Sequence, residues 1–136
     1  MQNAAAATAA SLQPVEFFPV TVTFPPLNEG ERWAGIVSVG TQLHHVILLP
    51  GDFEGNWKAA IAWAKEQGGE LPTRLEQSLL WAELKDQFIR DWYWSCEPYA
   101  SDASYAWVQA FDYGSQDYSH VDIGTRARAV RRIPIQ

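Results

Sequence analysis

Two neighbouring aromatic runs, Trp92-Tyr-Trp-Ser-Cys-Glu97 and Tyr105-Ala-Trp-Val-Gln-Ala-Phe-Asp-Tyr-Gly114, limit what this chain can fold into. Both alternate with the period of a strand. Trp92, Trp94 and Cys96 share one face of the first, and Tyr105, Trp107, Phe111 and Tyr113 share one face of the second. Rings of this size bury large areas, so the pair demands a helical layer over its bulky face. Trp92, Trp94, Trp107 and Phe111 are therefore expected in the core. Cys96, beside Trp92 and Trp94, reads as a small buried apolar residue rather than a nucleophile.

The preceding residues supply the helices. Asn56 is an N-cap for a helix from Trp57 to about Gln67, with Trp57, Ala60, Ile61 and Ala64 as its apolar stripe and Gly68-Gly69 as its stop. Trp63 lies off that stripe and is expected to meet a second surface. Thr73-Arg-Leu-Glu76 is a capping box, and Pro72 restrains the entry of a second helix running to about Asp86. Its predicted inward residues are Leu75, Leu79, Trp81 and Ala82. Ahead of the helices, Trp33–Gly40 and Leu43–Leu49 read as a hairpin. Beyond the aromatic strands, at about 92–97 and 105–113, a polar loop over 115–123 leads to a last strand, Arg126–Ile133. This order predicts an α+β fold, two helices packed on a twisted, mainly antiparallel sheet. Residues 31–136 form the domain, and 1–30 form an N-terminal extension or arm. That extension comprises an Ala-rich part, 1–13, and an extended stretch, 15–24, which Pro19 interrupts.

Charge narrows the partners. Sixteen acidic against ten basic residues give −6, which argues against a sequence-independent nucleic-acid binder. Four of the ten basic residues are Arg126, Arg128, Arg131 and Arg132. They suit either an anion or nucleic-acid contact, or pairing with surplus carboxylates and covering of aromatic faces; the second reading is favoured. The single cysteine excludes an internal disulfide and suits a reducing compartment. No apolar run approaches the roughly 18–20 residues that span a bilayer, and no signal peptide is recognised. Cytosolic synthesis without membrane contact is the expectation.

No catalytic arrangement follows from spacing. His44 and His45 point to opposite faces of one strand, His120 is distant, and neither a metal site nor a cofactor is expected. The position of Glu76 is explained by capping. Asp112, Asp117 and Asp122 lack the spacing and glycine of a calcium loop. What stands out instead is a loop surface at 98–122, rich in Tyr, Ser, Asp and Gln, the mixture that antibody paratopes use for adaptable contact. Its candidate ligand-binding residues are Tyr99, Asp102, Tyr105, Asp112, Tyr113, Gln116, Tyr118 and His120.

The order of these pieces resembles the bacterial and phage DUF1566 family, whose fold is C-type-lectin-like and related to the formylglycine-generating-enzyme group. Carrying the resemblance are Trp57 with Ala60, Leu71-Pro-Thr-Arg-Leu-Glu-Gln77, Trp92-Tyr-Trp-Ser-Cys-Glu97, Ala106-Trp107 with Phe111 and Gly114, and Arg126-Ala-Arg-Ala-Val-Arg131. It covers about residues 33–133. It implies a C-type-lectin-like domain and a non-enzymatic phage or prophage binding module meeting a protein or glycan through loops 98–122. Such a module would be a virion component, in a tail or fibre, joined to other virion proteins through residues 1–30 after synthesis in the host cytoplasm. Calcium-mediated sugar binding is not expected, because Tyr99 follows Glu97-Pro98 and Trp107-Val-Gln lacks an Asn-Asp pair. The alternative is an intracellular phage-encoded inhibitor of a host defence or nucleic-acid-handling complex, suggested by the acidic, disulfide-free chain. An enzyme of the formylglycine-generating type ranks third, because its paired cysteines are missing.

Overall fold

Turns and caps set the element order in the computed structural model, which describes residues 23–136. The expectations for the Ala-rich arm and for most of the 15–24 stretch lie outside the described residues. Gly40, at φ 61°, turns β1 (Arg32–Val39) into β2 (Gln42–Leu48). The short β3 (Phe53–Gly55) leads to α1 (Trp57–Glu66), where the Asn56 side chain accepts from the Ala59 amide. Thr73 and Glu76 form the complete capping box of α2 (Arg74–Leu84), and a single 3-10 turn, Lys85–Gln87, follows. Then come β4 (Trp92–Pro98), β5 (Tyr105–Ala110), β6 (Gln116–His120), β7 (Thr125–Ala127) and β8 (Val130–Ile135).

Among the described residues the fold is α+β, with two helices as expected, but with two sheets rather than one. A three-stranded antiparallel sheet has the order β1-β2-β8. A five-stranded sheet has the order β3-β7-β4-β5-β6 and is antiparallel except where β4 meets β7. The predicted last strand is therefore split between the two. Its middle, Arg128-Ala129, is buried, and the Arg128 guanidinium donates to the carbonyls of Leu49 and Gln87 instead of continuing a ladder.

Successive residues of β4 point to opposite faces of the large sheet. Trp94, with Ala106, Val108 and Ala127, packs under Ala60 and Ala64 of α1. Tyr93 and Phe111 face the other way, toward Leu80 of α2, Phe88 and the small sheet's Val37, Val46, Leu48 and Val130. Burial of these side chains is the main stabilising term.

Three packing expectations need correction. Trp92 shares the side of Trp94 but is 37% exposed, because it opens β4 and forms a wall of a cleft. Tyr93, not Trp92, fills the core. In α2 the buried residues are Glu76, Gln77 and Leu80; Leu79 and Trp81 pack half-buried against the same core as expected, while Leu75 is 51% exposed and Ala82 is exposed. Polar contacts set that rotation: Gln77 Nε2 donates to the carbonyls of Tyr93 and Trp94, and Arg132 holds Glu76 through Nε and Nη2 at 2.7 and 2.8 Å. Cys96 is only half-buried, and burial pushes its thiol pKa up. Trp63 does meet a second surface, stacking on Phe53 with ring centroids 5.4 Å apart.

The arginine run is consumed internally. Arg126 bonds Asp52 and Asp91, Arg131 bonds Glu31, and Arg132 bonds Glu70 and Glu76. Arg128 sits over the Phe88 ring at 5.1 Å. The hydrogen bonds from Arg131 bring the Glu31 carboxyl down to about 2. Pairing and aromatic cover is what these residues do.

Candidate functional site

Consecutive connections of an antiparallel hairpin lie at opposite ends, and this divides the candidate residues. β5 and β6 pair from Tyr105 opposite His120 to Gln109 opposite Gln116. The turn with Asp112 and Tyr113 lies at the Gln109 end, and the loop with Tyr99 and Asp102 at the Tyr105 end. Tyr113 is 84% exposed and stands apart from the other tyrosines. The predicted surface 98–122 is therefore not one surface, and the predicted polar loop 115–123 contains a strand, β6.

At the Tyr105 end the rings meet. Tyr118 lies directly opposite Trp107 in register, with ring centroids 5.7 Å apart and the planes near perpendicular. Tyr99 stacks on Tyr118 at 4.2 Å and meets Trp107 at 5.5 Å. Tyr105 meets Tyr118 at 5.7 Å and His120 at 5.4 Å. These edge and stacked arrangements are the preferred ones for aromatic quadrupoles. The Tyr99 phenol beside it raises the pKa of Tyr118.

The loop that brings Tyr99 back is locked locally. The Asp102 amide donates to the Tyr99 carbonyl, the Tyr105 amide to the Asp102 carbonyl, and the Tyr99 amide to the Tyr105 carbonyl. Asp102 Oδ1 accepts from the Ser104 hydroxyl and amide, which lowers its pKa. Asp102 thus shapes the loop.

Gln116 connects the platform to α2. Its amide nitrogen donates to the Arg74 carbonyl and to Gln109 Oε1, each at 2.9 Å, and its oxygen accepts from Arg74 Nε at 2.9 Å. The clamp lays the Arg74 guanidinium over Trp107, 3.5 Å from the ring centroid. Five of the eight candidates (Tyr99, Asp102, Tyr105, Tyr118 and His120) therefore gather at one end of the large sheet. Gln116 supports the group from beneath, and Asp112 and Tyr113 lie elsewhere.

Trp107 and Arg74 are the members that sequence reasoning missed. Trp107 shares the face of Tyr105 by simple alternation, a signal that was visible but assigned to the core. Arg74 is the first residue of α2, where the helix dipole disfavours a cation, and that misplacement was the available clue.

The opposite face of β6 borders a cleft of about 410 Å³, lined by Glu54, Asp91, Trp92, Val108, Asp117 and Ile123 among others. Asp117 Oδ1 accepts from the Tyr118 amide, so the side chain occupies a donor on this sheet edge.

His120 Nδ1 accepts from the Asp122 amide. Glu76 is fully bonded to Arg132, His44 and the Thr73 amide. Among the described residues, no three His, Cys, Asp or Glu side chains are placed to hold a metal ion, and no helix is long and apolar enough to cross a membrane. What the site offers is flat aromatic area, phenolic hydroxyls and one oriented guanidinium. No known protein family matches the chain, and no curated protein is significantly similar to it.

Proposed function

We propose that this chain is a non-enzymatic binding module that meets a protein or glycan through the platform of Tyr99, Tyr105, Trp107 and Tyr118. The observation that carries the reading is the partly exposed stack of Tyr99 on Tyr118, with Tyr118 itself 44% exposed. Rings held this rigidly provide contact area at low entropic cost. The finer assignment, a C-type-lectin-like fold of the DUF1566 kind in a phage or prophage protein, is part of the proposal. It is supported by the small sheet, which holds the first and last of the described strands on either side of β2 while the large sheet carries the loops. In this reading the module is a virion component, in a tail or fibre, joined to its neighbours through residues 1–30.

The test compares wild type with Tyr99→Ala, Tyr118→Ala and Tyr113→Ala on a glycan array and in pull-downs from host lysate. The first two variants are expected to lose wild-type binding at an unchanged melting temperature, and Tyr113→Ala to keep it. Full binding by both platform variants would refute the site.

A second reading, an intracellular inhibitor of a host defence or nucleic-acid-handling complex, is favoured by the acidic cleft beside Trp92, where Glu54, Asp91 and Asp117 converge. If the lysate partner is recovered equally by wild type and Tyr118→Ala but lost in Asp117→Asn, this reading replaces the first.

A further inference from the structure

Arg74 is hard to explain as a stabilising residue. As the first residue of α2 it places a cation where the helix dipole prefers an anion. Its own amide is already served by Glu97, which accepts from it at 2.7 Å. Its guanidinium is paired with no carboxylate among the described residues, in contrast to Arg126, Arg131 and Arg132. The Nε atom is spent on Gln116, and among the described residues neither terminal nitrogen has a hydrogen-bond partner. The side chain is nevertheless held in one place, with Trp107 beneath it and Gln116 gripping both its side chain and its carbonyl. A half-exposed guanidinium fixed this way is preorganised for a ligand oxyanion, because the ordering cost of a long side chain is already met before binding.

We infer that the platform recognises a protein segment in which a carboxylate, delivered to the free edge of Arg74, lies next to an aromatic or large apolar side chain seated on Tyr99 and Tyr118. The inference rests on the binding reading above and names the chemistry of its ligand. A protein rather than a sugar is favoured by the residue types. Arg, Trp and Tyr are the three enriched at energetic hot spots of protein interfaces, and here they are contiguous. The neighbouring Asp102, and Asp122 beside His120, oppose a polyanion, so a single carboxylate flanked by apolar groups is the better fit.

The probe is a library of short random peptides selected in parallel on wild type, Arg74→Gln, Arg74→Lys and Tyr99→Ala. Wild type is expected to enrich peptides with Asp or Glu beside an aromatic residue, and replacing that acid by its amide to weaken binding by about thirty-fold, the equivalent of a strong hot-spot contact. Arg74→Gln is expected to lose the acidic preference while retaining the aromatic one. Arg74→Lys is expected to recover part of it, since the charge survives but the planar fork does not. Tyr99→Ala is expected to lose the aromatic preference. If selected peptides carry no acid, or Arg74→Gln selects the same acidic peptides as wild type, the inference falls and the platform reading stands. Loss of selection in Arg74→Gln with no effect of Tyr99→Ala would instead overturn the platform. A lactose and sialyllactose pair completes the test: sialyllactose bound through Arg74, with no peptide selected, would replace the protein ligand by an acidic glycan.

Discussion

One face of the large sheet carries two aromatic clusters with opposite fates. At the β4 start, Phe88, Tyr93 and Phe111 are buried: Phe88 stacks on Phe111 at 3.8 Å, and Tyr93 meets both edge-on. At the Tyr105 end, Tyr99, Tyr105, Trp107 and Tyr118 make similar ring contacts but keep part of their surface in water. The strands are continuous between them, so the difference lies in the cover. The small sheet and the middle of α2 lie over the first cluster; only the first turn of α2, through Arg74, reaches the second. The polar handles differ accordingly. In the buried cluster the Tyr93 hydroxyl donates to Asp52 and accepts from the Ile89 amide, and burial together with Asp52 pushes its pKa well above the ordinary tyrosine value. Where ring contacts are alike, the covering layer decides whether aromatic residues become core or surface.

Substitutions test that division. Phe111→Ala is expected to cost about 4 kcal/mol, read as a fall in denaturation midpoint, through lost burial and a residual cavity. The surviving folded protein should bind normally. Glu76→Gln, which leaves the exposed Glu70 as the carboxylate partner of Arg132, is expected to cost about 2 kcal/mol. The same group sets a pH dependence. Burial alone would raise the Glu76 pKa, but Arg132, the Thr73 amide and His44 hold it below the ordinary carboxylate value. Its contribution is therefore complete above the unfolded value and lost as pH falls through the folded one. Urea melts of wild type should weaken over that acidic window, and those of Glu76→Gln should weaken less. Tyr93→Phe is expected to cost about 1 kcal/mol, since the Ile89 amide and Asp52 each lose the Tyr93 hydroxyl as a partner. At the platform the sign of the comparison reverses. Tyr118→Ala should change stability by less than about 1 kcal/mol while abolishing ligand capture, and Tyr113→Ala should alter neither measurably. A Tyr118→Ala protein as unstable as Phe111→Ala would show that the second cluster is core after all.

Local chemistry made much of this fold legible. Asn56, Thr73 with Glu76, and the short link around Gly40 each act within a few residues, and α1, α2 and the β1–β2 hairpin fall where those signals put them. The less legible parts depend on distant partners. β6 (Gln116–His120) contains no Val or Ile, and its pairing with β5 and the Gln116 clamp on α2 hold it as a strand. The Arg126–Ile133 run alternates like one strand, yet the buried Arg128 turns to the carbonyls of Leu49 and Gln87, and the run divides between two sheets. The rotation of α2 was hidden because Glu76 and Gln77, polar by type, are turned inside: Arg132 holds the Glu76 carboxylate, and the Gln77 amide nitrogen donates to the Tyr93 and Trp94 carbonyls. In the candidate site, the tyrosines were named by type and loop, but hairpin geometry alone separates Tyr113 from Tyr118.

The small sheet has a mechanical consequence. β1 and β8 both run antiparallel to β2. β1 enters opposite Leu48, and β8 leaves opposite Leu43. Tension applied at Arg32 and at the C-terminus therefore pulls the outer strands in opposite directions along their length and loads both ladders in shear. Their hydrogen bonds must then yield together rather than unzip one by one. The large sheet lies outside that load path, so a tethered molecule can bear force through β1, β2 and β8 while Tyr99, Trp107 and Tyr118 stay in register.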